Sequence, residues 1–220
     1  MKEPYIVFDR VSFQYPHGKF ALREISVSFF CGEITIIHGA NGSGKSTLAQ
    51  LAAGILKPDF GTIRIGGEAG LPLWEIGRRI GFCFQNPTRQ LFAMTVAEEI
   101  GFPLTLRGLA PEAVAAVVGE MLLRFDLVGL AEHFPLRLSR GEQQRLVMAA
   151  VAAQSPAFYL VDEPATGLDR EHKDAVYGYL RELAEEGKGV AAVSHDGDFI
   201  AASGDHVIAM EKGRIKADER

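Results

Sequence analysis

The sequence predicts an α/β fold: a core of buried strands and helices around a glycine-rich loop, with an N-terminal antiparallel β sub-domain and an inserted α-helical one. Three observations predict it. Gly39-Ala40-Asn41-Gly42-Ser43-Gly44-Lys45-Ser46-Thr47 fits G-x-x-x-x-G-K-[ST], a spacing that brings turn N–H groups close to an anion. An apolar run, 33–38, enters the loop and an apolar-rich stretch suited to a helix, 46–53, leaves it, so the anion would sit at a helix N-terminus. Strand-like patterning dominates before this loop, whereas helical patterning runs from Thr95 to about Gln154. The expected division is a core of residues 1–86 and 155–220 and a helical sub-domain of residues 87–154.

Residues 5–15 carry strand-forming side chains with partial alternation, and Pro16-His17-Gly18-Lys19 marks a turn. Leu22 to Phe30 resumes the strand pattern, with Ile25, Val27 and Phe29 on one face. Gly54 through Gly61 ends the first helix with Gly and Pro signals. A short strand follows at 62–67, and an apolar strand at 80–84 delivers Gln85 at its end. Val114, Val117, Val118, Met121, Leu122 and Phe125 mark one helix face behind Pro111, a core stripe rather than a cofactor site. Ser139 reads as a helix N-cap with Glu142 completing a capping box; the sharper reading is a second anion site at that helix start. The strand at 157–161 delivers Asp162 and Glu163. A turn at 166–169 leads into a helix from about Arg170 to Glu185, and a buried strand at 189–194 ends in His195-Asp196. Residues 207–215 suggest a closing hairpin before a polar tail.

At 220 residues, 47% hydrophobic and 23% charged, the chain suits one globular domain with a sizeable core. A formal net charge of −5 gives no basic footprint for nucleic acid. The two cysteines, Cys31 and Cys83, lie in or beside apolar runs and read as small hydrophobes in a reducing compartment. No apolar signal core follows Met1-Lys2-Glu3-Pro4, and Gln154-Ser155-Pro156 interrupts the most apolar region, 146–161. That break suits a buried helix and strand, not a membrane span. The expectation is a soluble protein whose membrane role, if it has one, runs through a partner.

The candidate chemistry follows from residue types. Gly39, Gly42 and Gly44 permit the tight loop. Lys45 supplies charge for β- and γ-phosphates, and the Ser46 hydroxyl is a Mg²⁺ ligand. Asp162, at the end of a buried strand, is expensive unless neutralised, and Mg²⁺ does so. Glu163 is placed to polarise a water. Tyr15 is a candidate base-stacking ring or simple packing. Gln85 is a strand-end ligand or a loop brace, and His195 a phosphate donor or a structural histidine.

In this order, the pieces resemble the nucleotide-binding domain of ATP-binding-cassette (ABC) ATPases over almost the whole chain, Leu138-Ser139-Arg140-Gly141-Glu142 standing for the signature L-S-G-G-Q. The resemblance implies a P-loop NTPase (RecA-like) core that hydrolyses ATP with Mg²⁺. Tyr15 would stack on adenine, and residues Asn41, Ser43, Lys45, Ser46 and Thr47 with the loop glycines would hold the phosphates. Ser46, Gln85 and Asp162 would form the metal side, with Glu163 the general base and His195 on the γ-phosphate. Ser139 and Gly141 would close over ATP on a second ABC ATPase, in a homo- or heterodimer, with Asp169 linking the two sites. Arg140 replaces the first signature Gly and Glu142 the signature Gln; a cation there either neutralises charge or weakens closure.

Residues 85–99 are similar to the Q-N-P-x-x-Q-x-F-x-x-T-V-x-E pattern of energy-coupling-factor vitamin importers and related cobalt and nickel importers. In that group the stretch faces an integral-membrane coupling subunit, which implies a motor at the cytoplasmic face of the membrane. Thr88 and Arg89 stand where acidic residues are common. Two other readings stay open: an ABC ATPase of a non-transport machine, and a weakly catalytic regulatory half of a heterodimer.

Overall fold

The structure, a computed structural model, describes residues 2–16, 18 and 20–220, apart from the side chains of 202 and 203. Met1 and, from the expected 16–19 turn, His17 and Lys19 lie outside the described residues. In chain order the elements are β1 (Ile6–Gln14), β2 (Phe20–Phe29), β3 (Glu33–His38), α1 (Lys45–Ala52), β4 (Phe60–Ile65) and β5 (Glu68–Ala69). Next come α2 (Leu73–Arg79), β6 (Ile80–Cys83), α3 (Val96–Leu106), α4 (Pro111–Arg124) and α5 (Arg140–Ala152). The chain closes with β7 (Phe158–Asp162), α6 (Arg170–Glu185), β8 (Gly189–Val193), α7 (Gly197–Ser203), β9 (His206–Glu211) and β10 (Arg214–Glu219).

Two sheets result. A four-stranded antiparallel sheet has the order β2-β1-β4-β5, and a six-stranded sheet the order β10-β9-β3-β8-β7-β6. In the larger sheet all neighbours are parallel except the β10–β9 pair. β7 and β8 are buried at every position, as central parallel strands covered on both faces must be. Their side chains alternate between two cores. Phe158, Leu160, Ala191 and Val193 join the β1–β2 residues and α1 in one core. Tyr159, Val161, Val190 and Ala192 join residues of α3–α6 in the other.

Helix starts follow local capping chemistry. Thr95 and Glu98 form a capping box on α3, Asp169 caps α6 through the His172 N–H, and Asp196 caps α7. The 114–125 stripe enters the core at its C-terminal end. Met121, Leu122 and Phe125 are buried, and Val117 and Val118 pack against them while partly exposed. The expected helical run is broken by 3₁₀ turns at Val128–Leu130 and Pro135–Arg137. α2 has no apolar stripe to announce it: Ile76 is its one buried residue. The closing hairpin runs on through the polar tail as the edge strand β10, paired with β9. No helix among the described residues is long and apolar enough to cross a membrane.

Register places the strand ends that matter at one height. Ile37 of β3 pairs with Val193 of β8, Val193 with Asp162 of β7, and Val161 with Cys83 of β6. The loop after β3, the residues after β8, the acids ending β7 and Gln85 therefore emerge along one sheet edge. That carboxyl-terminal edge is where open α/β sheets hold ligands.

Candidate functional site

The loop after β3 is held in shape by its glycines. Gly39 and Gly44 have φ of 146° and 105°, a region that side chains disfavour. A β-carbon on Gly39 would lie 2.2 Å from the Met210 carbonyl oxygen, and one on Gly44 2.8 Å from that of Ala21. Strands β9 and β2 thus leave room for hydrogen alone. Gly44 begins α1 with no side-chain cap, and the first turn holds no acid, so its N–H groups lack a side-chain cap among the described residues. Lys45 is 7% exposed, and its Nζ donates to the Gly39 and Ala40 carbonyls at 2.8 and 3.1 Å. That leaves one ammonium N–H for another acceptor.

A cavity of about 360 Å³ opens above this loop, and its wall includes Asn41, Gly42, Gly44, Lys45, Ser46, Thr47, Gln85, Glu163 and His195. Asp162 is not on that wall; it is 4% exposed and adjoins the wall residues Ser46, Lys45 and His195. Burial raises its pKa, while a hydrogen bond with Ser46 and the proximity of Lys45 and His195 lower it. Its Oδ1 is buried with no hydrogen-bond partner among the described residues. An orphaned carboxylate oxygen beside a hydroxyl is the donor set of a hard divalent cation such as Mg²⁺, so these residues fit the metal.

Glu163, one residue on, sits at φ 54°, uncommon for a residue with a side chain. Its Oε1 lies 2.8 Å from His195 Nδ1, and its Oε2 accepts the Thr166 hydroxyl at 2.9 Å. Burial raises its pKa most, Asp162 adds to the rise, and the Thr166 hydrogen bond, His195 and Lys45 oppose it. The loop bearing His195 is anchored in turn. Ser194 Oγ accepts the Asp196 N–H at 3.1 Å, and Lys173 Nζ donates to Asp196 Oδ2 at 2.9 Å.

Of the other expected residues, Tyr15 is 41% exposed, its hydroxyl 3.2 Å from Thr47 Oγ1 and its ring edge-on to Phe13. Ser43 is buried in the loop, its Oγ without a partner among the described residues. Ser139 and Gly141 do not line this cavity; they start α5, where the capping box is formed at both ends. Ser139 N donates to Glu142 Oε2 at 2.7 Å and Glu142 N to Ser139 Oγ at 3.4 Å. Glu142 thus performs the cap that Gln also makes. Asp169 caps α6 and its Oδ1 meets His172 Nδ1 at 2.7 Å. The cysteines are free, Cys83 buried and Cys31 half-buried.

Two residues escaped the sequence reading. Glu99 is 4% exposed and its Oε2 accepts the Phe92 and Ala93 N–H groups at 2.9 and 2.8 Å, tying the 90–94 loop to α3; only its place beside the capping Glu98 hinted at it. Thr166 had no signal beyond lying three residues after Glu163.

A glycine loop at a helix start, facing two acids at the end of one parallel strand of the same sheet, defines a phosphate-loop nucleotide-binding core. A family model described as ABC transporter matches residues 22–166, and the chain belongs to that family. It is 38% identical over 213 residues to the energy-coupling factor transporter ATP-binding protein EcfA of Methanothermobacter thermautotrophicus, covering 94% of this chain and 68% of that one. Among solved structures it is similar to cbiO1 from Clostridium perfringens, described as part of the ABC transporter complex cbiONQ. The TM-score is 0.87 at 29% identity, over 99% of this chain and 89% of that one. The cassette MJ0796, solved as a dimer in a post-hydrolysis state bound to ADP and Pi, matches with TM-score 0.90 at 29% identity, over 98% of both chains.

Proposed function

We propose that this chain is the ATP-binding and ATP-hydrolysing motor subunit of an ABC importer of the energy-coupling-factor type, serving a vitamin or a transition-metal ion. One observation carries the catalytic part: the phosphate loop, Gln85, Glu163 and His195 share one cavity, and the orphaned Asp162 carboxylate adjoins its Ser46, Lys45 and His195. Lys45 and the α1 N-terminus bind the phosphates, and Tyr15 stacks on adenine. Glu163, oriented by His195, takes the proton of the attacking water, and His195 also reaches the γ-phosphate. Ser46 and Asp162, with Gln85 beside them, would hold Mg²⁺, which supplies charge neutralisation on the transferred phosphoryl group. Ser139 and Gly141 complete the site of a second copy or a second ABC ATPase; the dimeric state of MJ0796 supports this.

The importer part draws on the names of EcfA and cbiO1 and on an apolar groove of about 280 Å³, whose walls include Phe92, Glu99, Phe102, Leu106 and Val151. Phe92, Met94 and Leu106 are 61%, 71% and 72% exposed at or near it, and exposed apolar clusters of this kind mark partner sites. An integral-membrane coupling subunit seated on the 85–106 face would hold the motor peripherally at the cytoplasmic face of the membrane. The net charge of −5 supports a partner other than nucleic acid. The test is an affinity pull-down from detergent-solubilised membranes with tagged Glu163→Gln. Co-purification of an integral-membrane subunit with a small substrate-binding membrane protein supports the reading. A preparation free of membrane protein overturns the transport role and favours a soluble machine.

A further inference from the structure

The carboxylate of Glu163 is gripped at both oxygens, and the second grip is local to this chain's own turn. His195 Nδ1 takes Oε1 at 2.8 Å, while the Thr166 hydroxyl donates to Oε2 at 2.9 Å. The same turn closes on its backbone, with Thr166 N donating to the Glu163 carbonyl at 3.2 Å. A carboxylate rotates broadly about its last torsion, so one anchor sets its position and two set its plane.

The first turn of α5 lies beside this turn. A β-carbon on Gly167, whose φ is 82°, would lie 3.7, 3.8 and 3.9 Å from Arg140 Nε, Cδ and Cζ. One residue along each segment, a β-carbon on Gly141 would lie 3.3 Å from Leu168 Cδ2. The exposed Arg140 side chain therefore lies beside Gly167 with room for about one methyl group between them, and the start of α5 adjoins the turn that carries Thr166. A glycine at position 140 would leave this flank of the turn open.

We infer that Thr166 is a positioning residue for hydrolysis, fixing the plane of the Glu163 carboxylate, and that Arg140, flanking the turn that carries Thr166, limits that turn's outward movement. The inference rests on the reading of Glu163 as the general base. A base must lie within hydrogen-bond reach of the water it deprotonates, and a misplacement of about 1 Å costs on the order of 10²-fold in rate. Freeing one oxygen of Glu163 gives up part of that placement and none of the phosphate contacts. The loss therefore falls on kcat.

The test is steady-state ATP hydrolysis by the full chain with Mg²⁺, alongside nucleotide binding and thermal unfolding. Thr166→Val, which keeps the shape and removes the hydroxyl, is expected to lower kcat roughly 10- to 100-fold with KM and nucleotide affinity within about 2-fold of the parent. Thr166→Ser, which restores the hydroxyl, is expected to recover most of the rate. Thr166→Ala serves as the hydroxyl-free variant if Val disturbs folding. Arg140→Ala is expected to lower kcat by a smaller factor that disappears in the Thr166→Val background, because it acts through that residue. A Thr166→Val enzyme with parental kcat, or a Thr166→Ser enzyme as slow as Thr166→Val, overturns the positioning role. Additive losses in the double variant overturn the role given to Arg140. Glu163→Gln, run beside them, tests the general base on its own: turnover surviving there defeats that reading whatever Thr166 does.

Discussion

His195 Nδ1 lies 2.8 Å from Glu163 Oε1, joining the residue that follows β7 to the loop that follows β8. The pair is asymmetric: the Glu163 side chain is 6% exposed and that of His195 58%. Both line the cavity, the buried member held at both oxygens and the exposed member open to solvent. This suits a division in which Glu163 takes a proton while His195 orients it and meets the substrate.

Glu163→Gln keeps the side-chain shape but removes the basic oxygen, so hydrolysis should fall by about 10²–10⁴-fold. ATP binding should persist, because Lys45 and the loop are untouched. Phosphate release together with equilibrium nucleotide binding checks both halves. His195→Ala should also slow turnover, since it frees the same carboxylate oxygen. Parental turnover in Glu163→Gln would remove this residue from the mechanism.

Much of this site was legible because its residues sit next to strong punctuation. The strand at 33–38 and the helix at 170–185 match β3 and α6 end to end, one bounded by the glycine loop and the other opened by the Asp169 cap. The order β10-β9-β3-β8-β7-β6 was not legible, since buried parallel strands are all similarly apolar and carry no mark of their neighbours. α2 escaped because one buried residue gives no periodic stripe. Thr166 escaped for a different reason. Its contact exists only because Glu163 adopts φ 54° and the turn folds back, and no spacing rule encodes that.

The capping box on α5 gives a pH-dependent prediction. Hydrogen bonding to the Ser139 side chain and N–H holds the Glu142 carboxyl below its ordinary value of 4.5. A depressed carboxyl stabilises the fold fully above the unfolded value and loses that contribution as pH falls through the folded one. Glu142→Gln retains a capping partner but cannot titrate. Its stability deficit relative to the parent should therefore be present above about pH 4.5 and vanish at lower pH, as followed by denaturant unfolding across pH. Ser139→Ala should cost about 1 kcal/mol through loss of the cap itself.

The cysteines should differ sharply in reactivity. Burial pushes the Cys83 thiol up to about 12 and raises the half-buried Cys31 less far. Only the thiolate reacts, so at pH 8 Cys83 should carry about 10⁻⁴ of its population in reactive form, even before its burial is counted. A thiol reagent should label Cys31 slowly and Cys83 only after denaturation, with mass spectrometry of digested protein assigning each site. Rapid native labelling of Cys83 would mean that the core beside β6 opens readily.

Gly39→Ala tests whether the loop depends on backbone proximity rather than on glycine's flexibility alone. The added carbon would lie 2.2 Å from the Met210 carbonyl and 2.9 Å from Ser43 Oγ, and the carbonyl belongs to a paired strand that cannot move alone. Either β9 shifts or the loop does, and φ of 146° adds strain for any side chain. The loop is the softer partner, so its N–H groups should turn away from the phosphates. Nucleotide affinity should fall by at least about 10-fold, with a loss of stability of about 1–3 kcal/mol for the overpacking. Gly42→Ala is the matched control, because a β-carbon there meets nothing within 4 Å and only its φ of 77° resists the change. Equal losses in the two variants would show that backbone conformation alone sets the loop; a much larger loss at Gly39 would assign the difference to the wall that β9 makes behind it.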